Sequence, residues 1–140
     1  MKEYSMKEIR GVIDGFESAT IPLSDFKHGA HLMVAVSYLL ELSFDEALLR
    51  MRAGLKTVLA RNGIEGYNET ITVFWMKYAK GFLSTATADL TQAELTNLLL
   101  SECSGQWLIN EFYSSELLSS EKARQFFVVP DLKPLPWGEA

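Results

Sequence analysis

The chain has 140 residues, of which 48% are hydrophobic and 22% are charged. This length is typical of one domain, and the composition is too apolar for an intrinsically disordered protein. The net charge of −5 argues against nucleic acid or an anionic membrane surface as the main partner. A single cysteine excludes an internal disulfide and is typical of a protein in a reducing cytoplasm.

No export or membrane-spanning segment is expected. The amino-terminal stretch alternates charged and apolar residues and lacks the apolar core of a signal peptide. The longest uncharged run, residues 28–40, has 13 residues, whereas a spanning helix needs about 20 mostly apolar ones. We therefore expect a cytoplasmic protein without a membrane partner.

The first two helices are predicted from their capping residues. Ser5 and Glu8 form a capping-box pattern, and the helix that they open ends near Gly15. After a loop, Ser24 is the expected cap of a second helix that runs to about Leu42.

The middle of the chain predicts two longer helices. The third helix starts after Ser43, has apolar residues at spacings of three and four, and ends at Asn62 and Gly63. The fourth starts near Tyr67 and runs to about Leu83.

The last third of the chain predicts shorter elements. Thr91 and Glu94 form another capping-box pattern, which opens a fifth helix that ends near Cys103. Two short helices follow, over residues 107–113 and 121–127.

The carboxyl-terminal residues cannot continue a helix. Prolines 130, 134 and 136 predict an extended tail packed over the surface, and only residues 126–129 have the pattern of a strand. The sequence therefore predicts one all-α domain over residues 1–140, a bundle of five or six helices with a proline-rich tail.

The second predicted helix is apolar over most of its circumference. Only Ala30, Ser37 and Glu41 share a side that could face water, so this helix is expected at the centre of the bundle. It carries the only two histidines of the chain, His28 and His31. A spacing of three places both imidazoles on one face, where buried ring nitrogens need polar partners.

The start of the fourth helix offers those partners. Tyr67, Asn68 and Glu69 stand directly before an aromatic core stretch, and the wheel position of Asn68 points inward. Arg52, on the third helix, could hold Glu69 ionised inside the bundle or bind an anionic ligand. These residues predict a polar pocket between the second and fourth helices that binds a small molecule or a metal.

The chemistry of this pocket has several interpretations. His28, His31 and Glu69 could form the two-histidine, one-carboxylate set that binds a divalent transition metal. The pocket could instead take a small molecule without a metal. The residues could also be structural, with Asn68 as a helix cap and the histidines as core residues. No catalytic residue is assigned, and whether the protein is an enzyme is left open.

A second functional hypothesis is a non-enzymatic helical module. In that case the protein acts through partner binding or as a homo-oligomer, and its histidines serve only the core.

Several segments resemble a family of small bacterial helical proteins of unassigned function. The residues that carry the resemblance are Phe26 to Leu32, Arg52, Asn62-Gly63, Gly66 to Thr72, Val129 to Leu132 and Pro134 to Pro136. The family reads F-x-H-x-x-H-L, then Y-H-E-T-x-T, then a P-D-L-x-P-L-P-like end. The resemblance implies inward-facing His, His, His and Glu side chains, which suggest a metal or a polar pocket. This chain has Asn68 at the third histidine position, and asparagine is a poor ligand for zinc or iron.

Overall fold

The computed structural model describes residues 3–86, 89–103 and 106–135, and these residues form an all-α fold without a β-strand. The α-helices are α1 (Met6–Glu17), α2 (His28–Glu41), α3 (Phe44–Arg61), α4 (Glu69–Thr85), α5 (Gln92–Glu102), α6 (Ser115–Ser119) and α7 (Glu121–Gln125). Two 3-10 helices, Leu23–Asp25 and Gln106–Glu111, lie in the connections. Within the described ranges, no helix is both long enough and apolar enough to cross a membrane.

Helix α2 lies at the centre of the bundle, as its composition predicts. It contacts α1, α3, α4 and α5, and residues 32–36 are all at most 3% exposed. The expected wet side is partly wrong, because Ala30 is also buried. Because four helices surround it, most residues of α2 are shielded from solvent.

The predicted capping boxes at Ser5 and Thr91 are confirmed. Each hydroxyl accepts the backbone N–H of the glutamate three residues on, and that glutamate accepts the N–H of the cap residue. At Ser43 only half of the pattern forms. Its hydroxyl accepts the N–H of Glu46, while the Glu46 carboxylate accepts the Ser43 hydroxyl rather than its backbone N–H. Helix α3 is therefore capped without a complete box.

The predicted start of α2 is wrong. Ser24 lies in a 3-10 turn closed by the hydrogen bond from the Asp25 N–H to the Pro22 carbonyl, and the helix begins only at His28. The buried ring of Phe26 separates the two elements, and Lys27 is a cap residue without a side-chain hydrogen bond. Burial of one aromatic ring outweighs a favourable serine cap here.

Two serines begin the short helices in the last part of the chain, of which α7 was predicted over residues 121–127 and α6 was not predicted. Ser114 caps α6 and Ser120 caps α7, each by accepting an N–H three residues on. Helix α6 has five residues, too few for a periodic apolar pattern to be recognised. The described fold therefore has seven α-helices where five or six were predicted.

The segment after α7 is fixed by side chains instead of by a sheet. The hydroxyl of Thr70, a residue with no exposed surface, lies 2.7 Å from the Ala123 carbonyl and 2.8 Å from the Phe126 carbonyl, and it accepts the Val128 N–H. The phenol of Tyr113 donates to the Val128 carbonyl over 2.6 Å. These bonds replace the ladder partners that a strand would need. The strand-like residues 126–129 are therefore held on the bundle without pairing.

The described part of the proline-rich segment contacts the bundle. The Leu132 N–H donates to the Phe112 carbonyl over 2.9 Å, and Leu135 is 5% exposed within the core. Pro136 and the residues after it lie outside the described residues, so the extended tail as a whole stays a prediction.

Candidate functional site

A partly open cavity lies between α2, α3 and α4. Its volume is about 230 Å³. The lining side chains are mostly apolar: Phe26, Leu32, Ala35, Met51, Leu55, Val58, Leu59, Ile71, Trp75 and Met76. His31, Gly66, Tyr67, Asn68 and Thr72 complete the wall. The cavity is therefore an apolar space with a few polar groups, which is the usual composition of a small-molecule site.

Of the titratable side chains that line the cavity, His31 has the pKa that lies furthest from its usual value. Its ring stacks at a tilt on Phe26, with 4.3 Å between centroids, and it has no hydrogen bond to another described residue. Burial, together with the nearby His28, lowers the pKa of His31 to about 4. The imidazole is therefore neutral at physiological pH and offers one donor and one acceptor nitrogen.

His28 faces a different neighbour. Its ring meets the indole of Trp75 edge-on, with 4.2 Å between centroids, and its Nε2 is buried without a hydrogen-bond partner among the described residues. Burial lowers the pKa of His28. Trp75 lines the cavity but His28 does not, so the two histidines share a helix turn without sharing the cavity.

Asn68 is the N-cap of α4, as the structural interpretation of the sequence proposed. Its Oδ1 accepts the Ile71 N–H over 3.0 Å, and its Nδ2 donates to the Leu118 carbonyl over 2.7 Å. Both ends of the amide are occupied by backbone groups. Asn68 therefore borders the cavity as a fixed structural residue.

Glu69 is held by two neighbours on the outer side of α4. Arg52 donates to both carboxylate oxygens, Nε to Oε1 over 2.9 Å and Nη2 to Oε2 over 2.6 Å, and the Tyr67 phenol donates to Oε1 over 2.6 Å. Burial alone would raise the pKa of Glu69, but the bonds from Arg52 and Tyr67 outweigh it and the pKa is lowered. Two roles were considered for Arg52: binding an anionic ligand, or holding Glu69 ionised. In the structure the Arg52 guanidinium pairs with Glu69 and favours the ionised carboxylate.

The same residues form part of a second, shallower depression. Arg52, Lys56, Tyr67 and Glu69 line it together with Arg124 and Gln125 of α7. The Nζ of Lys56 lies 5.0 Å from the centroid of the Tyr67 ring. We call this depression the basic groove.

The six residues predicted for one pocket thus belong to three places. His31, Tyr67 and Asn68 line the cavity, Arg52, Tyr67 and Glu69 line the basic groove, and His28 contacts Trp75. Tyr67 is the residue shared by the cavity and the groove. Sequence reasoning missed the contribution of Arg124, because nothing in the sequence shows that α7 packs against the start of α4.

The metal interpretation gains no support from this geometry. Among residues 3–86, 89–103 and 106–135, no group of three His, Cys, Asp or Glu side chains is placed to hold a metal ion. The carboxylate of Glu69 is engaged by Arg52 and Tyr67. A metal on His28, His31 and Glu69 stays a prediction.

Comparison of the chain with models of known protein families, with curated proteins and with solved structures found no match. The all-helical fold agrees with the resemblance described above, and membership of that family stays a prediction.

Proposed function

We propose that the protein binds a small, mainly apolar molecule in the cavity between α2, α3 and α4. The observation that carries the proposal is the cavity itself, about 230 Å³ in volume and lined mostly by apolar side chains. A concave, mainly apolar space of this kind is the usual form of a small-molecule site. Because the cavity is partly open, water can enter it, and a ligand with apolar surface gains free energy by displacing that water from the apolar wall.

The volume sets the size of the ligand. An apolar cavity of roughly 150 Å³ holds benzene, a molecule of six carbon atoms. By proportion, a cavity of about 230 Å³ takes about nine non-hydrogen atoms. A fused five- and six-membered ring system has this size.

His31 gives the proposed ligand its polar feature. A neutral imidazole without a partner among the described residues can accept a hydrogen bond from an N–H or O–H group, or donate one to a carbonyl. A ligand that supplies that group satisfies the ring, while a purely apolar ligand leaves it unpaired. We therefore expect a ligand with one hydrogen-bonding group at the edge of an apolar ring.

Indole and indene test this expectation. Each has nine non-hydrogen atoms in the same shape, and only indole has an N–H donor. We expect indole to bind with a Kd of about 1 mM or somewhat below, the range of small fragments, and indene more weakly. Titration followed by ¹H–¹⁵N NMR should shift the amides around the cavity, and His31→Phe should remove the preference for indole over indene.

Filling the cavity gives the matched control. Ala35 lines the cavity and is 2% exposed, so Ala35→Met should occupy the space and abolish binding of both probes. Ala60 is exposed on α3, so Ala60→Met should leave binding unchanged. Binding that survives Ala35→Met, or no binding by either probe, contradicts the proposal.

Two other sequence hypotheses have their own tests. Failure of both probes favours the interaction or oligomerisation module, for which Phe126, Val129 and Leu132 provide exposed apolar surface at 62%, 56% and 56%. Sedimentation velocity of the purified protein measures that oligomeric state directly. Elemental analysis of protein purified without a histidine tag tests for a bound divalent metal.

A further inference from the structure

The basic groove carries excess positive charge on a protein that is acidic overall. Arg52, Lys56 and Arg124 line it with a single carboxylate, Glu69, which leaves a local charge of +2, whereas the whole chain has −5. Within the described residues, the side-chain nitrogens of Lys56 and Arg124 form no ion pair and no hydrogen bond. Their acidic neighbour in the groove is Glu69, whose pKa Lys56 helps to lower, but the Glu69 carboxylate is already hydrogen-bonded to Arg52 and Tyr67.

The floor of the groove is formed by the paired side chains of Arg52 and Glu69. Glu69 is 13% exposed and Arg52 31%, and their two-bond pairing fixes the guanidinium plane against α4. The Tyr67 phenol completes this array, and its ring lies under the Lys56 ammonium. The charge of Glu69 is thus neutralised by Arg52, while Lys56 of α3 and Arg124 of α7 also line the groove.

We propose that the basic groove is a binding site for a phosphate group. A phosphate carries a charge of about −1.5 to −2 at pH 7 and three acceptor oxygens, which complements two unpaired cations and a net local charge of +2. Arginine binds such an oxyanion through two parallel N–H groups, and lysine binds it as a point charge. This proposal is independent of the cavity, because a phosphate needs none of the apolar wall.

Titration with inorganic phosphate at low ionic strength tests the site. We expect saturable ¹H–¹⁵N shifts at the amides near Lys56, Glu69 and Arg124. The double variant Lys56→Gln/Arg124→Gln should weaken phosphate binding at least about ten-fold, because it removes both unpaired cations. The substitutions keep the long side chains and leave the bond between Arg52 and Glu69 in place.

The control removes the same charges from another surface. Lys7 and Arg10 are exposed on α1, so Lys7→Gln/Arg10→Gln changes the net charge equally and should alter the phosphate Kd less than about two-fold. Equal losses in the two double variants would show nonspecific attraction and overturn the site. Absence of saturable shifts in the parent protein would also overturn it.

A second probe distinguishes the source of the phosphate. Phenyl phosphate carries the same group on an aromatic ring. Tighter binding of phenyl phosphate than of inorganic phosphate supports a site for a phosphate monoester, and equal binding supports a site for the free ion. Loss of both in Lys56→Gln/Arg124→Gln is required in either case.

Discussion

The depressed pKa of His31 predicts a loss of stability in mild acid. The folded protein holds the His31 pKa near 4, through burial and the neighbouring His28, while an unfolded histidine titrates near 6.5. Between these values the unfolded chain binds more protons than the folded one. The free energy of unfolding therefore rises with pH across this window and falls as the solution is acidified.

The magnitude follows from the gap between the two pKa values. One pKa unit corresponds to about 1.4 kcal/mol, so the full gap amounts to about 3 kcal/mol once the pH is below 4. At pH 5 the loss relative to pH 7.5 is about 2 kcal/mol. His28 acts in the same direction, because burial also lowers its pKa. Carboxylates with lowered pKa values, such as Glu69, contribute chiefly at lower pH.

Urea unfolding at pH 5.0 and 7.5 measures this difference. His31→Gln removes the titrating group, so its free energy of unfolding should change with pH by about 2 kcal/mol less than that of the parent. His28→Gln is the matched control and should keep most of the pH dependence. NMR titration of the two histidine Cε1–H signals gives the pKa values directly. A His31 midpoint at or above 6, or an unchanged pH dependence in His31→Gln, would refute the reasoning.

Three further predictions concern stability and can be checked by urea unfolding. Thr70→Val should cost about 2–4 kcal/mol because it leaves backbone groups of the carboxyl-terminal segment unpaired, whereas Thr70→Ser should cost about 1 kcal/mol. Gly54→Ala should cost about 1–3 kcal/mol because the new Cβ would overlap the Phe16 ring, and Gly11→Ala, with open space around it, should gain about 0.5–1 kcal/mol. Glu69→Gln should cost about 1–3 kcal/mol through weaker pairing with its guanidinium partner; a neutral outcome would show that this pair is screened by water.

The helices could be predicted where local chemistry decides them. The capping boxes at Ser5 and Thr91 depend on hydrogen bonds within one turn, and the apolar spacing of α3 depends only on the helix period. The start of α2 could not be predicted, because it depends on the burial of Phe26 against Phe16, whose rings lie 5.1 Å apart. Phe16 lies in α1 and Phe26 lies just before α2, so the pattern of residues within one helix cannot predict their contact.

The candidate site could be predicted only in part, for a similar reason. A helical wheel gives the direction of a side chain on its own helix, and the spacing of three predicted that His28 and His31 share one face and one pocket, whereas only His31 lines the cavity. The wheel does not identify the residue that a side chain contacts on a neighbouring helix. Here the His28 ring contacts Trp75, whereas the His31 ring lines the cavity. The partners of Glu69 were half predicted, since Arg52 was considered and the phenol of Tyr67 as its donor was not.

The hydroxyl of Thr70 has a consequence for the order in which the chain can assemble during synthesis. Its carbonyl and N–H partners lie 53 to 58 residues further along the chain, and chains emerge from the ribosome at about 5–20 residues per second. The hydrogen bonds of Thr70, in the first turn of α4, therefore cannot form until several seconds after that turn has been synthesised. Until then, α7 does not cover Thr70 and its hydroxyl can bond to water, and we expect the four long amino-terminal helices to take their final packing only after Val128 has emerged.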